Sequence, residues 1–157
     1  MNAGAAAGRP VVRADGRIGP FRIDRTTEAQ LRATLGRPTR AVKVVAEAPR
    51  GPSGRTLLYR CGRGCSTAYS FNSSTGKLSD FQTSSPRFVT ERGSYVGMKA
   101  TEAARRERAK IVPTCGDDRA IHVRWDLHHA LVVLVWHGKV DMLVYLGPRS
   151  IFYEGLC

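Results

Sequence analysis

The chain has 157 residues, which is the size of one ordinary domain or of two very small ones. Apolar residues make up 42% and charged residues 24%, and these globular values exclude a disordered, collagen-like or coiled-coil chain. The 25 Lys and Arg residues against 13 Asp and Glu give a net charge of +12. Such a surface favours polyanions such as nucleic acid, anionic lipid or acidic envelope polymers, although an ordinary solvated surface is also compatible with it.

The first half of the chain predicts a flexible arm, a helix and then strands. Residues 1–16 predict the arm, which has neither the charged nor the apolar region of a signal peptide. Thr27 and Gln30 form a capping-box pattern at the start of a helix, and Gly36 and Pro38 end it. Alternating apolar residues then predict strands at 42–46, 56–60, 67–71 and 78–83.

The second half predicts the same order of elements. A helix from Thr101 to about Lys110 is followed by strands at 121–125, 130–136, 140–146 and 151–153. At an offset of 74 residues, Thr27-Glu28-Ala29 matches Thr101-Glu102-Ala103. The sequence therefore predicts an α+β protein of two tandem repeats, each a short helical segment packed on a small antiparallel sheet. Repeat 1 would span residues 17–85 and repeat 2 residues 86–157.

Two segments carry a resemblance to a known group of proteins. Val96-Gly97-Met98-Lys99-Ala100-Thr101-Glu102, and residues 22–28 followed by Leu35-Gly36-Arg37-Pro38, resemble the helix start of small secreted bacterial domains. The group includes the β-lactamase-inhibitory protein and the BamE-type envelope lipoproteins. The resemblance implies a secreted or cell-envelope location, one disulfide in each repeat and a binding function. Because the Pro49–Gly54 loop lacks the acidic residue with which the family enters the lactamase active site, the resemblance does not extend to lactamase inhibition.

Four cysteines permit two disulfides and indicate an oxidising compartment. Cys61 and Cys65 flank the turn Gly62-Arg63-Gly64, which places them at cross-strand distance, so we expect them to pair. Cys115 follows the second helix and Cys157 ends the last predicted strand, and we expect these two to pair as well. The C-x₃-C spacing differs from the C-x₂-C of zinc sites, so a four-cysteine zinc site is the less favoured alternative.

No motif in the sequence indicates catalysis. A nucleophile elbow, a zinc-protease motif, a phosphate-binding loop and a dinucleotide-binding loop are all missing. Four histidines lie close together in sequence and could approach a metal ion, but exposure at turns is the favoured interpretation: His122, His128, His129 and His137. The sequence therefore predicts a non-enzymatic protein with no catalytic residue, no metal site and no cofactor. The longest apolar run, 130–136, predicts a buried strand and is too short to span a membrane.

Aromatic residues on strands are the candidate binding residues. They would lie on a sheet face that the helices leave uncovered, with two arginines as a charged rim. The candidates are Tyr59, Tyr69, Phe71, Trp125 and Trp136, with Arg60 and Arg63 at the rim. The predicted function is an inhibitor-like module that binds an as yet unknown protein partner, and the alternative is a basic protein that binds nucleic acid or an acidic envelope polymer. Burial of the same aromatics against the helices is the competing interpretation.

Overall fold

Strands make up most of the secondary structure. The computed structural model describes residues 8–44, 54–114 and 117–147. Of these residues 49% lie in strands and 12% in helices, namely α1 (Glu28–Leu35) and α2 (Ala100–Glu107). The strands in chain order are β1 (Val11–Val12), β2 (Arg17–Ile18), β3 (Phe21–Arg22), β4 (Arg40–Val44), β5 (Gly54–Gly62), β6 (Cys65–Asn72), β7 (Leu78–Thr83), β8 (Val89–Thr90), β9 (Ile111–Pro113), β10 (Arg119–Trp125), β11 (Ala130–Trp136) and β12 (Lys139–Leu146).

Eight of these strands form one continuous antiparallel sheet in the order β4-β5-β6-β7-β12-β11-β10-β9. We call β4 to β7 the left half of this sheet and β9 to β12 its right half. The halves meet where β7 pairs with β12, and Phe81 lies opposite Tyr145 at this junction. A smaller sheet has the order β3-β2-β1-β8, with β1 and β8 parallel. The large sheet therefore has two faces that run across both halves.

One face of the large sheet, the inner face, packs against both helices and the small sheet. Tyr69 and Phe81 from the left half and Tyr145 from the right half share this core with Leu31 of α1 and Ala103 of α2. The rings of Tyr69 and Phe81 lie 5.4 Å apart between centroids, a separation at which aromatic rings attract each other. The opposite face, the outer face, is the one that the helices leave uncovered.

The predicted fold class is wrong, because the protein is mainly β and not an α+β protein built of two tandem helix-and-sheet repeats. Two separate small sheets would each end in an open edge strand with unpaired N–H and C=O groups. Here β7 and β12 pair with each other and join all eight strands into one sheet. Each helix has only 8 residues, too few to form a layer across eight strands. The division of the chain at residues 85 and 86 stays a prediction.

The end of the predicted flexible arm belongs to the fold. Val11 and Val12 form β1 and pair with Val89 and Thr90 of β8, and Val12 is fully buried. Burial of this apolar pair compensates for the entropy lost when the segment is ordered, so the prediction of an arm is wrong for residues 11–16. Residues 1–7, the predicted Pro49–Gly54 turn (except Gly54) and the predicted strand at 151–153 lie outside the described residues.

The two helices begin in different ways. The capping box predicted for α1 is present: the Thr27 hydroxyl accepts a hydrogen bond from the Gln30 N–H at 3.3 Å, and the Gln30 side chain accepts one from the Thr27 N–H at 2.9 Å. Helix α2 begins at Ala100, and the side chain of the preceding Lys99 makes no capping hydrogen bond. Thr101 therefore lies inside α2, whereas Thr27 lies just before α1. An offset of 74 residues makes these two threonines counterparts, so it does not align the starts of the two helices.

Candidate interaction surface

The outer face of the large sheet has a polar half and an apolar half. Directly paired residues on neighbouring antiparallel strands point to the same face, so the register assigns each side chain to a face. In the left half the outer face carries Thr56 and Ser70, whose hydroxyls form a 2.9 Å hydrogen bond. In the right half it carries Val132 paired with Val144 on β12. Leu58, its partner Ala68 and the exposed Val42 lie on the outer face of the left half as well, so apolar side chains are concentrated in the right half but not confined to it.

We call the apolar residues along β11 and beside it the outer strip, which consists of Trp125, Ala130, Val132, Leu134 and Trp136. Trp125 is paired with Ala130, so the strip begins with one tryptophan and ends about 20 Å further along the strand with the other. Trp125 is 40% exposed and Trp136 is 53% exposed, whereas Ala130 and Val132 are buried. The strip thus has a closely packed middle and an exposed indole at each end.

The turn between β10 and β11, at the Trp125 end of the strip, is held by hydrogen bonds. The Asp126 carboxylate accepts hydrogen bonds from the His128 and His129 N–H groups at 2.8 and 2.9 Å and from the Arg124 guanidinium at 2.6 Å. These bonds hold the pKa of Asp126 well below its usual range. In this turn Leu127, two residues after Trp125 in the sequence, is 68% exposed. Leu127 was not among the sequence-based candidates, although a leucine in an otherwise polar turn between two strands is a detectable signal.

Two of the four histidines are less exposed than the sequence predicts. The His122 ring stacks on Trp125 with 4.8 Å between ring centroids, and the His129 ring packs against Tyr145 at 5.7 Å. Burial lowers the pKa of both imidazoles. His128 and His137 are exposed, as predicted. Among residues 8–44, 54–114 and 117–147, no group of His, Cys, Asp and Glu side chains is arranged to hold a metal ion.

The three aromatic candidates of the left half lie on the inner face. Tyr69 and Phe71 are only 3% and 4% exposed, so they belong to the core and their assignment to a binding surface is wrong. Tyr59 is half-buried beside Tyr69, and its hydroxyl donates a hydrogen bond to the Gly36 carbonyl at 3.1 Å. Tyr59 therefore fixes the end of α1 and does not face the outer strip. The three residues do lie on the same face of the sheet, as predicted, but this is the inner face and not the uncovered one.

The arginine candidates lie at the tip of the β5–β6 hairpin. Arg60 is paired with Ser66 and points to the outer face, and Arg63 is exposed in the turn. The predicted disulfide between Cys61 and Cys65 closes this hairpin, with 5.1 Å between the two Cα atoms. The register places the hairpin tip at the same end of the sheet as Trp136, about 20 Å away across the strands. Cys115 and Cys157, predicted to form the second disulfide, lie outside the described residues.

Comparisons with known proteins identify relatives of the fold only. No protein family and no curated protein matches the chain. The structure of the uncharacterized protein YfeY from Escherichia coli is similar, with a TM-score of 0.54 and 13% identity over 86% of this chain and 98% of YfeY. An extracellular protein containing an SCP domain from Bacillus anthracis str. Ames has a TM-score of 0.52 and 10% identity over 80% of this chain. This chain covers only 44% of the length of that second protein.

Within the part of the chain that the structure describes, no helix has the length and apolar character needed to cross a bilayer.

Proposed function

We propose that this protein is a non-enzymatic binding module of the secreted or cell-envelope kind, and that it recognises a protein partner through the outer strip. The observation that carries this proposal is the exposure of both tryptophans, 40% and 53%, at the two ends of a strip whose middle is apolar and closely packed. Tryptophan is enriched at the energetic centres of protein interfaces because it contributes a large contact area. The expected partner has an apolar contact surface that covers the exposed indoles of Trp125 and Trp136, since Ala130 and Val132 between them are buried.

The rigidity and charge of the surroundings support this function. The strip lies on a central strand and ends at the turn fixed by Asp126, so little conformational entropy is lost when a partner binds. Arg60, Arg63 and Lys139 are exposed near one end of the strip. These cations favour a partner with acidic residues around its contact surface, and they would accelerate encounter more than they strengthen the complex.

The compartment is inferred from chemistry. The Cys61–Cys65 disulfide is typical of proteins that fold in an oxidising environment. One protein of similar fold is described as extracellular, and the resemblance to the group of the β-lactamase-inhibitory protein and the BamE-type lipoproteins points to the same compartment. Membership in that group stays a prediction, because neither of the structural neighbours named above belongs to it by its description.

The decisive experiment compares capture by the unmodified protein and by Trp136→Ala. A partner captured from the secreted and envelope fractions of the source organism would be identified, and its affinity measured by calorimetry. Removal of the exposed indole should weaken binding by about 2 kcal/mol, or roughly 30-fold. Circular dichroism and thermal unfolding of the variant should match those of the unmodified protein, since Trp136 lies outside the core.

Leu35→Ala is the matched control for this experiment. Leu35 is also a large apolar residue that is partly exposed, but it lies on α1 and away from the outer face. Its truncation should leave the affinity unchanged. If Trp136→Ala and Trp125→Ala both bind the partner as tightly as the unmodified protein, the outer strip is not the recognition surface.

The net charge of +12 favours a second function, the binding of an anionic polymer. The probe is a single-stranded DNA oligonucleotide, with affinity measured at increasing salt concentration. A polyanion-binding protein loses affinity steeply with salt because counterions are released, whereas a complex centred on Trp125 and Trp136 loses little. A steep slope that is unaffected by Trp136→Ala would favour the polymer over the protein partner.

A further inference from the structure

A cavity of about 370 Å³ lies on the opposite side of the large sheet from the outer strip. Its apolar floor is made by Val123 of β10 and Leu131 of β11. Its walls are charged: Glu91-Arg92 come from the turn after β8, and Glu107-Arg108 from the C-terminal end of α2. A volume near the lower end of the usual range for ligand pockets suits a small molecule.

Glu107 is the unusual residue of this cavity, because it is a carboxyl side chain only 5% exposed. One of its oxygens, Oε1, accepts a hydrogen bond from the Thr90 hydroxyl. The other, Oε2, is buried and accepts no hydrogen bond from any described residue. A buried carboxyl oxygen without a donor costs free energy, so a ligand that donates to it would stabilise the protein.

None of the other charged groups that line the cavity donates a hydrogen bond to this oxygen. The Glu91 carboxylate is already paired with the Arg13 guanidinium at 2.8 Å and accepts from the Ala14 N–H at 3.3 Å. Arg92 donates to the backbone carbonyl of Glu107 at 2.8 Å. Arg108 forms no ion pair with any described residue. The C-terminal end of α2 adds a partial negative charge beside Glu107, which favours a cation there.

We infer that this cavity binds a small zwitterion of the free amino acid type. Its ammonium group pairs with the carboxylate of Glu107, whose buried Oε2 turns into the cavity to accept the hydrogen bond. Its carboxylate is held by the guanidinium of Arg108, which forms no ion pair with a described residue. A short aliphatic side chain of the ligand lies on Val123 and Leu131. This site is independent of the outer strip, since the two lie on opposite faces of the sheet.

The test is a titration of the unmodified protein with three probes of similar size, in which NMR monitors the backbone amide chemical shifts. L-alanine carries both charges, ethylamine only the cation and propionate only the anion. L-alanine should produce saturable shifts at Thr90, Glu107 and Arg108, and ethylamine should bind at least about tenfold more weakly. Propionate should produce no saturable shift. Absence of saturation with L-alanine, or equal affinity for propionate, would overturn the inference.

A pair of matched variants assigns the binding to Glu107. Glu107→Gln keeps the size of the side chain and its ability to accept from Thr90 but removes the charge, so it should weaken L-alanine binding at least about tenfold. Glu102→Gln is the control, because it removes a carboxylate of the same helix that does not line the cavity. Glu102 forms ion pairs with Arg105 and Arg106, and its substitution should leave the affinity for L-alanine unchanged. Unchanged affinity in Glu107→Gln would contradict the site. If that variant does not fold, the three-probe comparison on the unmodified protein still decides.

Discussion

The left and right halves of the large sheet have similar inner faces and different outer faces. On the inner face each half contributes a deeply buried tyrosine, Tyr69 on the left and Tyr145 on the right. On the outer face the left half presents a hydrogen-bonded pair of hydroxyls, Thr56 and Ser70, where the right half presents apolar side chains such as Val132. The inner face therefore carries most of the stability of the fold, and the outer face is where the proposed partner would bind.

The hairpins at the same end of the two halves also differ. The β5–β6 hairpin of the left half is closed by the disulfide between Cys61 and Cys65. The β11–β12 hairpin of the right half is closed by His137-Gly138, and His137 has a φ of +47°, a conformation that costs energy for a residue with a side chain. The left tip is therefore covalently fixed, and the right tip, which presents Trp136, depends on backbone geometry.

The largest effects should come from the inner face in both halves. Tyr69→Ala and Tyr145→Ala should each lower the free energy of unfolding by about 3–5 kcal/mol, because each removes a large buried ring. Trp136→Ala on the outer face should cost less than about 1 kcal/mol. Urea unfolding followed by circular dichroism measures all three. An equal cost for Trp136→Ala would show that the two faces do not divide stability from binding.

The next largest effect should come from the left hairpin. The double variant Cys61→Ser, Cys65→Ser removes a cross-link that closes a loop of five residues, so it should lower the free energy of unfolding by about 2 kcal/mol. Thermal unfolding with and without a reductant provides the measurement. In the double variant, the reductant should cause no further loss of stability from this hairpin. A loss near zero would mean that the left tip is no more fixed than the right one.

The two helix starts should differ by about 1 kcal/mol. Thr27→Ala removes the hydroxyl that accepts from the Gln30 N–H, and the expected loss of stability is about 1 kcal/mol. Lys99→Ala is the counterpart before α2 and should have almost no effect, since the Lys99 side chain makes no capping hydrogen bond. Both variants are compared by chemical unfolding. Equal losses would contradict the difference between the two starts.

The smallest effect is a pH dependence that arises in the right half. Burial lowers the pKa of His122 and of His129, and for His129 the charge of Arg124 lowers it further while Asp126 and Asp24 oppose this. As the pH falls below about 6.5, the unfolded chain takes up protons that the folded protein does not, so stability should decrease. Above that pH the two states bind the same number of protons at these sites, and the effect vanishes.

The pH effect is measured by unfolding in urea between about pH 7 and pH 5. His122→Asn should reduce the slope of stability against pH, and His128→Asn, at an exposed neighbouring position, is the matched control. An unchanged slope in His122→Asn would show that the pH dependence of stability arises from other groups in the molecule.

Local patterns predicted the two helices and the long strands of the large sheet but not β1, β8 or β9, and long-range pairing decided the fold. The cap at Thr27 and the bond between Cys61 and Cys65 depend on residues close in sequence, and both are confirmed. The alternation in β6 correctly placed Tyr69 and Phe71 on one side of the strand. Alternation does not say which side the helices cover, so the choice of face was wrong for these two residues. The pairing of β7 with β12 joins distant segments and leaves no local signal.

Both tryptophans of the chain lie on the outer face, and this gives the protein a built-in optical reporter. Any change in intrinsic indole fluorescence arises from the two ends of the outer strip and from nowhere else in the chain. A partner that covers Trp136 would shift its emission to shorter wavelengths as water is removed, with no label attached. A ligand in the cavity on the other side of the sheet would leave the spectrum nearly unchanged. Emission spectra can therefore tell the two sites apart in a single cuvette.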